Sequence, residues 1–197
     1  MRKDYEIILN LIPKNSKVLD IGCSDGELIS YLENKGVSAQ GVELNQEKVI
    51  KCLEKGLDVI HGDINLIVED FPFNQFDYCL LTQTIQAVQK PDQLLNTLKK
   101  VSKNIIVSFN NSARLSKISN FLLSGSFDSL LKKADSDHWY NTDYIHPCSI
   151  KDFKKLAANL DLKIISTFDV INQRKFKNGK IPSNLFCKEV LFHITDE

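Results

Sequence analysis

The chain has 197 residues, with 25 Lys and Arg against 25 Asp and Glu. This length suits one α/β domain with a sizeable core. A net charge of zero argues against a nucleic acid or an anionic membrane as partner, and no apolar run is long enough to span a bilayer. The first residues lack the apolar centre of a signal peptide, and the five cysteines contain no Cys-x-x-Cys pair. We therefore expect a cytoplasmic protein with reduced thiols.

Apolar strands alternate with amphipathic helices over the first two thirds of the chain. Helices are predicted over 3–11, over 26–35, from the capping Asn45 to Gly56, and from Pro91 onwards. Strands are predicted at about 17–21, 38–43, 57–61, 76–82 and 104–109. Because these strands are almost entirely apolar, we expect a mostly parallel sheet covered by helices on both faces. No internal repeat or linker is evident, so residues 1–197 are predicted to form a single domain.

The last third of the chain has a different pattern. Residues 110–148 show no convincing long period, and a loop of that length in a compact domain is usually functional. A capping box at Ser149 predicts a further helix. Two apolar stretches, at about 162–171 and 187–194, follow without a crossover helix between them. They are expected to pair antiparallel, as a C-terminal hairpin on the sheet.

Three features at the ends of successive strands indicate a nucleotide-like ligand. Residues 18–26, Val-Leu-Asp-Ile-Gly-Cys-Ser-Asp-Gly, form a strand that breaks into a glycine-containing turn before a helix. Such a turn presents backbone amides and a helix N-terminus to a ligand. Glu43 ends the second strand 21 positions after Gly22, a spacing at which an acid reaches a ribose diol. Asp63, after Gly62, ends the third and can accept a hydrogen bond from an adenine amine.

The chemistry of the loop narrows the choice of nucleotide. The loop has the sequence Gly-x-Ser-x-Gly, whereas dinucleotide sites have Gly-x-Gly-x-x-Gly. Three carboxylates, those of Asp20, Asp25 and Glu27, surround the start of the helix and would oppose a pyrophosphate. They suit a ligand that carries an ammonium and a sulfonium, which indicates S-adenosylmethionine. The alternative is a Rossmann-like domain that binds no ligand, but the three features together are specific.

Several segments resemble one family within the class I S-adenosylmethionine-dependent methyltransferases. They are Phe76-Asp77-Tyr78, Gln83-Thr84-Ile85-Gln86-Ala87-Val88, Ser108-Phe109-Asn110-Asn111, Trp139-Tyr140-Asn141-Thr142 and Ile145-His146-Pro147-Cys148. Together they resemble the MetW family of methionine biosynthesis proteins. The resemblance implies a single Rossmann-like domain of about seven strands and a role in methionine synthesis beside homoserine O-acetyltransferase. The cofactor residues that it implies are Asp20, Gly22, Cys23, Gly26, Glu43, Leu44, Gly62, Asp63, Ile64 and Gln83.

Two functions are compatible with these patterns. The first is an S-adenosylmethionine-binding partner of a homoserine O-acyltransferase. The second is a methyltransferase on an unidentified small-molecule acceptor, with 110–148 as a lid or acceptor pocket and with Gln83, Gln86 and His146 near the methyl group. The catalytic candidates are His146, as a base, and Gln86, although ordering of the loop through a hydrogen bond is the favoured role of His146. The segment after the fourth strand lacks the Asn/Asp-Pro-Pro-Tyr sequence of enzymes that methylate planar amino groups.

The remaining chemically active side chains allow simpler interpretations. His138, His146 and Cys148 match no standard metal-ligand spacing, so no metal is expected. Cys79 lies within the fourth predicted strand and is expected in the core. Aromatic residues of the long loop either close over the cofactor or pack on the sheet edge; they are Trp139, Tyr140 and Tyr144. A basic segment is either a solvated turn or a docking patch for an acidic partner; it contains Arg174, Lys175, Lys177 and Lys180.

Overall fold

The computed structural model describes residues 1–127, 146–176 and 184–196. Its α-helices are α1 (Lys3–Leu11), α2 (Glu27–Asn34), α3 (Gln46–Glu54), α4 (Ile64–Ile67), α5 (Pro91–Val101), α6 (Leu115–Ser124) and α7 (Ile150–Asn159). Its strands are β1 (Lys17–Ile21), β2 (Ser38–Glu43), β3 (Val59–His61), β4 (Phe76–Thr82), β5 (Ser102–Asn110), β6 (Lys163–Asp169), β7 (Arg174–Lys175) and β8 (Glu189–Thr195). A short 3₁₀ turn, Val68–Asp70, follows α4.

All of these strands belong to one sheet, in the order β3-β2-β1-β4-β5-β8-β6-β7. Strands β1 to β5 are parallel to one another, and β8 inserts antiparallel between β5 and β6. The predicted α/β class, with a mostly parallel sheet and a C-terminal antiparallel hairpin, is confirmed. The strand order reverses between β1 and β4, and open α/β sheets bind ligands at the carboxyl side of such a switch point.

The described sheet has eight strands rather than about seven. The additional strand, β7, consists of Arg174 and Lys175, which were expected in a basic turn and instead pair with Phe168 and Asp169 at the sheet edge. Both β7 side chains are exposed. Their neighbours in the predicted basic patch, Lys177 and Lys180, lie outside the described residues.

The core lies on both faces of the sheet because successive residues of a strand point to opposite sides. In β4, Leu80 packs in the cluster that α1 and α2 help to form, and Leu81 packs in the cluster on the opposite face with α5 and α7. Both leucines are fully buried, and so is Cys79, as predicted. Burial on both faces explains why these strands are continuous apolar runs in the sequence. Within the described ranges, no helix is both long and apolar enough to cross a membrane.

The expectation of an irregular loop from 110 onwards was wrong for its first part. Residues Leu115–Ser124 form α6, which ends at Gly125 in the left-handed conformation (φ 66°). None of the α6 side chains is buried. Leu115, Ile118 and Leu122 nevertheless recur at helical spacing, a short signal that the sequence analysis missed. Residues 128–145 lie outside the described part, and with them the proposed lid aromatics Trp139, Tyr140 and Tyr144.

Candidate functional site

A cleft of about 560 Å³ opens at the carboxyl ends of β1, β2 and β3. Six of the predicted cofactor residues line it: Gly22, Glu43, Leu44, Gly62, Asp63 and Ile64. The lining is completed by Ile21, Val42, Asn45, Lys48, Asn65, Thr84, Ala87 and Val88. The cleft thus collects residues from three consecutive strand ends and from the turn after β4, because parallel strands all end at the same edge of the sheet.

Gly22 lets the loop after β1 approach the turn after β4. Its φ is +74°, and a Cβ atom there would lie 2.7 Å from Thr84 Oγ1, which donates a hydrogen bond to the carbonyl of Ile21 at 3.0 Å. A side chain at position 22 would therefore be strained and would displace Thr84. Ser24 adopts the same left-handed region, with φ 54°. The serine thus takes the backbone conformation that a glycine would supply.

Cys23 and Gly26 lie on the packing side of the glycine loop, outside the cleft lining. The Cys23 side chain is buried, and a Cβ on Gly41 would come within 2.6 Å of its sulfur. Gly26 is the N-cap of α2, and a Cβ there would lie 2.3 Å from Leu57 Cδ1. These two predicted cofactor residues therefore shape the loop by close packing.

Glu43 connects the end of β2 to the glycine loop. One carboxylate oxygen accepts a hydrogen bond from the Ser24 amide at 2.8 Å, and the other accepts from the Asn45 amide at 2.9 Å. The side chain is 8% exposed and lines the cleft. Because a carboxylate oxygen accepts more than one hydrogen bond, this fixed carboxylate can also accept from a hydroxyl pair in the cleft.

Asp63 is held by the short helix that it caps. Its Oδ1 accepts hydrogen bonds from the backbone amide of Asn65 at 2.9 Å and from the Asn65 side chain at 2.7 Å. Both bonds end on the same oxygen, so Oδ2 can accept from a ligand amine. Asp63 is half-buried, and Leu44 and Ile64 supply apolar lining nearby.

Asp20 is a buried carboxyl group without a hydrogen-bond partner among the described residues. It is 1% exposed, and neither of its oxygens is bonded. Burial raises its pKa to about 7; the nearby charge of Arg2 lowers the pKa, and the carboxylates of Asp4 and Glu43 raise it further. A buried, unbonded carboxyl is costly, which indicates that this site is built to receive a donor.

Gln83 begins a chain of polar side chains beyond the cleft. Its Nε2 donates to Glu189 at 2.8 Å, and its Oε1 accepts from Asn110 at 2.9 Å. Its φ of 61° is rare for a residue with a side chain, and such strained positions cluster at functional sites. The structure thus places this predicted cofactor residue beside the cleft rather than in its lining.

The catalytic candidates Gln86 and His146 are hydrogen-bonded to each other and to neighbouring loop residues. The amide of His146 donates to the carbonyl of Gln86 at 3.0 Å, and the His146 ring bonds the carbonyl of Gln89 at 3.1 Å. Gln86 is buried, and its Nε2 donates to the Ser112 hydroxyl at 3.5 Å. His146 is exposed, and neither residue lines the cleft. These contacts favour the loop-ordering role of His146 over the role of a base.

Within the described ranges, no three His, Cys, Asp or Glu residues are placed to hold a metal ion. His138 lies outside those ranges. Burial raises the pKa of Cys148 to about 12, so its sulfur is a thiol and not a nucleophilic thiolate at neutral pH.

The sequence analysis did not single out three charged residues that the fold brings near Asp20: Arg2, Asp4 and Glu189. The Arg2 guanidinium bonds the Asp4 carboxylate at 3.1 and 2.5 Å, and Asp4 also accepts from the Ser108 hydroxyl at 3.1 Å. One signal for Asp4 was present, because it stands four positions before Ile8 on the buried face of α1. Glu189 begins the last strand and carries no such signal.

Comparison with solved structures defines the fold. An S-adenosylmethionine-dependent methyltransferase from Methanosarcina mazei superposes with a TM-score of 0.70 at 15% identity, covering 96% of both chains. The [4+2]-cyclase SpnF superposes with a TM-score of 0.66 at 12% identity, covering 98% of this chain and 80% of its own. The fold is therefore that of the Rossmann-like class I methyltransferases, and this fold also serves other chemistry.

Comparison with protein families is more specific. The family described as "Methionine biosynthesis protein MetW" matches residues 2–194. A "Bifunctional methionine biosynthesis protein MetXA/MetW" from Rhodopirellula baltica is 32% identical over 170 residues, which are 82% of this chain and 27% of that protein. The chain belongs to the MetW family, and the resemblance found in its sequence is confirmed. It spans about a quarter of the length of this relative.

Proposed function

We propose that this chain binds S-adenosylmethionine or S-adenosylhomocysteine at the cleft. The observation that carries the proposal is the convergence of Gly22, Glu43 and Asp63 at three adjacent strand ends of one methyltransferase-like sheet. In this assignment Glu43 accepts from the ribose hydroxyls and Asp63 from the adenine amine. Apolar residues of the lining, such as Leu44 and Ile64, pack on the base, and Gly22 allows the ligand to approach the backbone.

The chemistry of the chain fits this ligand better than a dinucleotide. Asp20, two residues before Gly22, is a buried carboxyl that has no donor in the part of the chain that the structure describes. A pyrophosphate there would bring further negative charge. A ligand with an ammonium and a sulfonium instead supplies the missing positive charge. When bound, S-adenosylmethionine supplies a reactive methyl group, and the chain contributes its orientation.

We further propose that the chain acts with a homoserine O-acyltransferase in methionine biosynthesis. The support is membership of the MetW family and a relative whose name joins MetXA and MetW in one bifunctional protein. We take the MetXA part to be the acyltransferase that the family resemblance implies. S-adenosylmethionine is formed from the pathway's product, so its binding can report supply to the partner enzyme.

The test is the turnover of the homoserine O-acyltransferase of the same organism, measured with and without this chain while S-adenosylmethionine is titrated. We expect the chain to change the turnover and the change to depend on the ligand. The Glu43→Ala chain is the matched control and should lose the ligand dependence. Full acyltransferase activity without any effect or association of this chain would contradict the partnership.

Methyl transfer to a small-molecule acceptor is the second candidate. The observation that favours it is the polar chain of Gln83, Glu189 and Asn110 next to the cleft, where an acceptor can be bound. Incubation with methyl-labelled S-adenosylmethionine and a small-molecule extract of the cells should then yield a labelled product. No labelled product from any extract would count against this activity and leave the binding partner as the function.

A further inference from the structure

A second groove lies directly beside the cleft. It has a volume of about 200 Å³ and runs between the segment 65–69 and helix α5. Asn65 lines both the cleft and this groove, so the two are continuous. Of the nine described residues that line the groove, only Glu69 and Lys90 are charged. The groove is therefore a nearly uncharged surface that opens next to the proposed nucleoside site.

Leu66 of α4 presents a large apolar side chain at this groove. It is 76% exposed, whereas Ile64 and Val68, two positions away on either side, are buried in the core. Its neighbours thus anchor the turn, and Leu66 is held out towards solvent. Val68 and Leu94 supply further apolar lining. An exposed apolar side chain beside a partly apolar groove is typical of a surface that contacts another protein.

The charges of the groove favour a protein over other macromolecules as its partner. Glu69 and Lys90 are both exposed and have opposite signs, so the lining carries no net charge. A nucleic acid or an anionic membrane requires an excess of positive charge. Protein interfaces instead combine an uncharged centre with a polar rim. The groove therefore fits a partner protein that inserts an apolar side chain and places one charge of each sign around it.

Asp63 couples the groove to the cleft. The backbone amides of Leu66 and Ile67 donate to the Asp63 carbonyl at 2.9 and 3.1 Å, and the Asn65 amide donates to the Asp63 carboxylate at 2.9 Å. Three amides of the turn are therefore held by the residue that we assign to the adenine amine. A ligand that binds this carboxylate restricts Asp63 and, with it, the turn that carries Leu66.

We propose that Leu66 and the adjoining groove form the docking surface for the homoserine O-acyltransferase, and that an occupied cleft strengthens this docking. The inference rests on the proposed function, from which it takes both the partner and the ligand. A partner that responds to the supply of ligand must contact an element that differs between the free and the bound chain. Helix α4 is such an element, because Asp63 caps it at the cleft and Leu66 projects from it at the groove.

The affinity for the acyltransferase of the same organism tests this surface. Leu66→Ser removes the apolar side chain, and Thr97→Arg puts a charge into the groove from α5 and leaves α4 unaltered. Phe73→Ser is the matched control, because Phe73 is also 76% exposed and lines neither the cleft nor the groove. We expect each groove variant to weaken the association about tenfold or more and the control to weaken it less than about twofold. All three variants should retain the wild-type affinity for S-adenosylhomocysteine.

The ligand dependence is measured with saturating S-adenosylhomocysteine and with its inosine analogue, which lacks the exocyclic amine, also at saturation. We expect the adenine ligand to strengthen the association of wild type with the acyltransferase about fivefold or more. The inosine ligand should strengthen it less than about twofold, because it has no amine for Asp63. Equal effects of the two ligands would overturn the coupling through Asp63.

Three results would overturn the docking surface. If either groove variant binds the acyltransferase like wild type, the contact lies elsewhere on the chain and the proposed partnership stands. If wild type sediments as a dimer and Leu66→Ser as a monomer, the occupant of the groove is a second copy of this chain. If wild type binds S-adenosylhomocysteine but not the acyltransferase, the proposed partnership is wrong and this surface falls with it.

Discussion

The two ends of the candidate site are constructed differently. At the nucleoside end, the carboxylates of Glu43 and Asp63 are each bonded to nearby backbone amides. At the other end, called here the Asp20 end, the Asp20 carboxyl is fully buried without a donor among the described residues, beside Arg2 and Asp4. The carboxylates of the proposed nucleoside end therefore have hydrogen-bond donors before a ligand arrives, whereas the carboxyl of the Asp20 end does not.

This difference indicates where stability and binding are coupled. A carboxylate that is fixed by backbone amides is preorganised and loses little freedom when a ligand binds. A buried carboxyl without a donor destabilises the fold, and a ligand that satisfies it recovers that free energy. Asp20 should therefore govern the pH dependence of stability. Glu43 and Asp63 should contribute to affinity and not to that pH dependence.

The largest expected effect is on the unfolding free energy, from Asp20→Asn. Burial raises the pKa of Asp20 to about 7, above the value of an unfolded aspartate, so the native state holds an extra proton between about pH 4 and 7. Wild-type stability should fall as the pH rises through that window, by roughly 2–3 kcal/mol between pH 5 and 8. Asp20→Asn should lack this slope and be the more stable protein at pH 8.

Urea denaturation at pH 5 and pH 8 measures this effect. Asp25→Asn is the control, because it removes an exposed carboxylate from the same loop and should retain the slope of the wild type. Parallel pH curves for wild type and Asp20→Asn would show that Asp20 is ionised in the native state over this range, and the contrast between the two ends would be lost.

Glu43→Ala should have the largest effect on affinity. It removes the acceptor for the ribose hydroxyls and releases the amides of Ser24 and Asn45. We expect S-adenosylhomocysteine to bind more weakly by roughly 2–3 kcal/mol in calorimetry. Glu54→Ala, on the exposed end of α3, is the control and should bind like wild type. An unchanged affinity in Glu43→Ala would show that the ribose of the ligand does not bind at Glu43, and the assignment of the nucleoside to this cleft would be wrong.

Asp63→Ala should weaken binding less, by about 1 kcal/mol, because Asp63 is half-buried and one oxygen is already engaged by Asn65. The loss should disappear when the inosine analogue of S-adenosylhomocysteine is the ligand, since it lacks the exocyclic amine. Equal losses for the adenine and inosine ligands would show that Asp63 acts through the fold of α4 and not through the base.

His146→Ala should have the smallest effect, less than about 0.5 kcal/mol on the affinity for S-adenosylhomocysteine. The His146 ring is exposed and bonds the carbonyl of Gln89 outside the cleft lining. A loss of tenfold or more would place the ring at the ligand and restore His146 as a candidate base.

The sequence alone predicted the sheet and the residues of the proposed nucleoside end. The strand at 17–21, the turn at Gly22 and the spacing to Glu43 are local patterns, and each acts within one strand and the turn after it. The apolar run of β4 is a local pattern as well, and it predicted that both faces of this strand are buried. Helix α6 was missed although Leu115, Ile118 and Leu122 recur at helical spacing, because this run is short and lies within a longer segment that has no long period.

Only the tertiary structure brought together the charged residues around Asp20. Asp4 of α1, Asp20 of β1 and Glu189 of β8 are far apart in the sequence, and no spacing relates them. They meet because α1 packs on the face that Asp20 and Ser108 share, and because β8 inserts antiparallel beside β5, with Glu189 opposite Asn110. The environment of a charged group depends on everything packed around it, so the raised pKa of Asp20 follows from the fold and not from its motif.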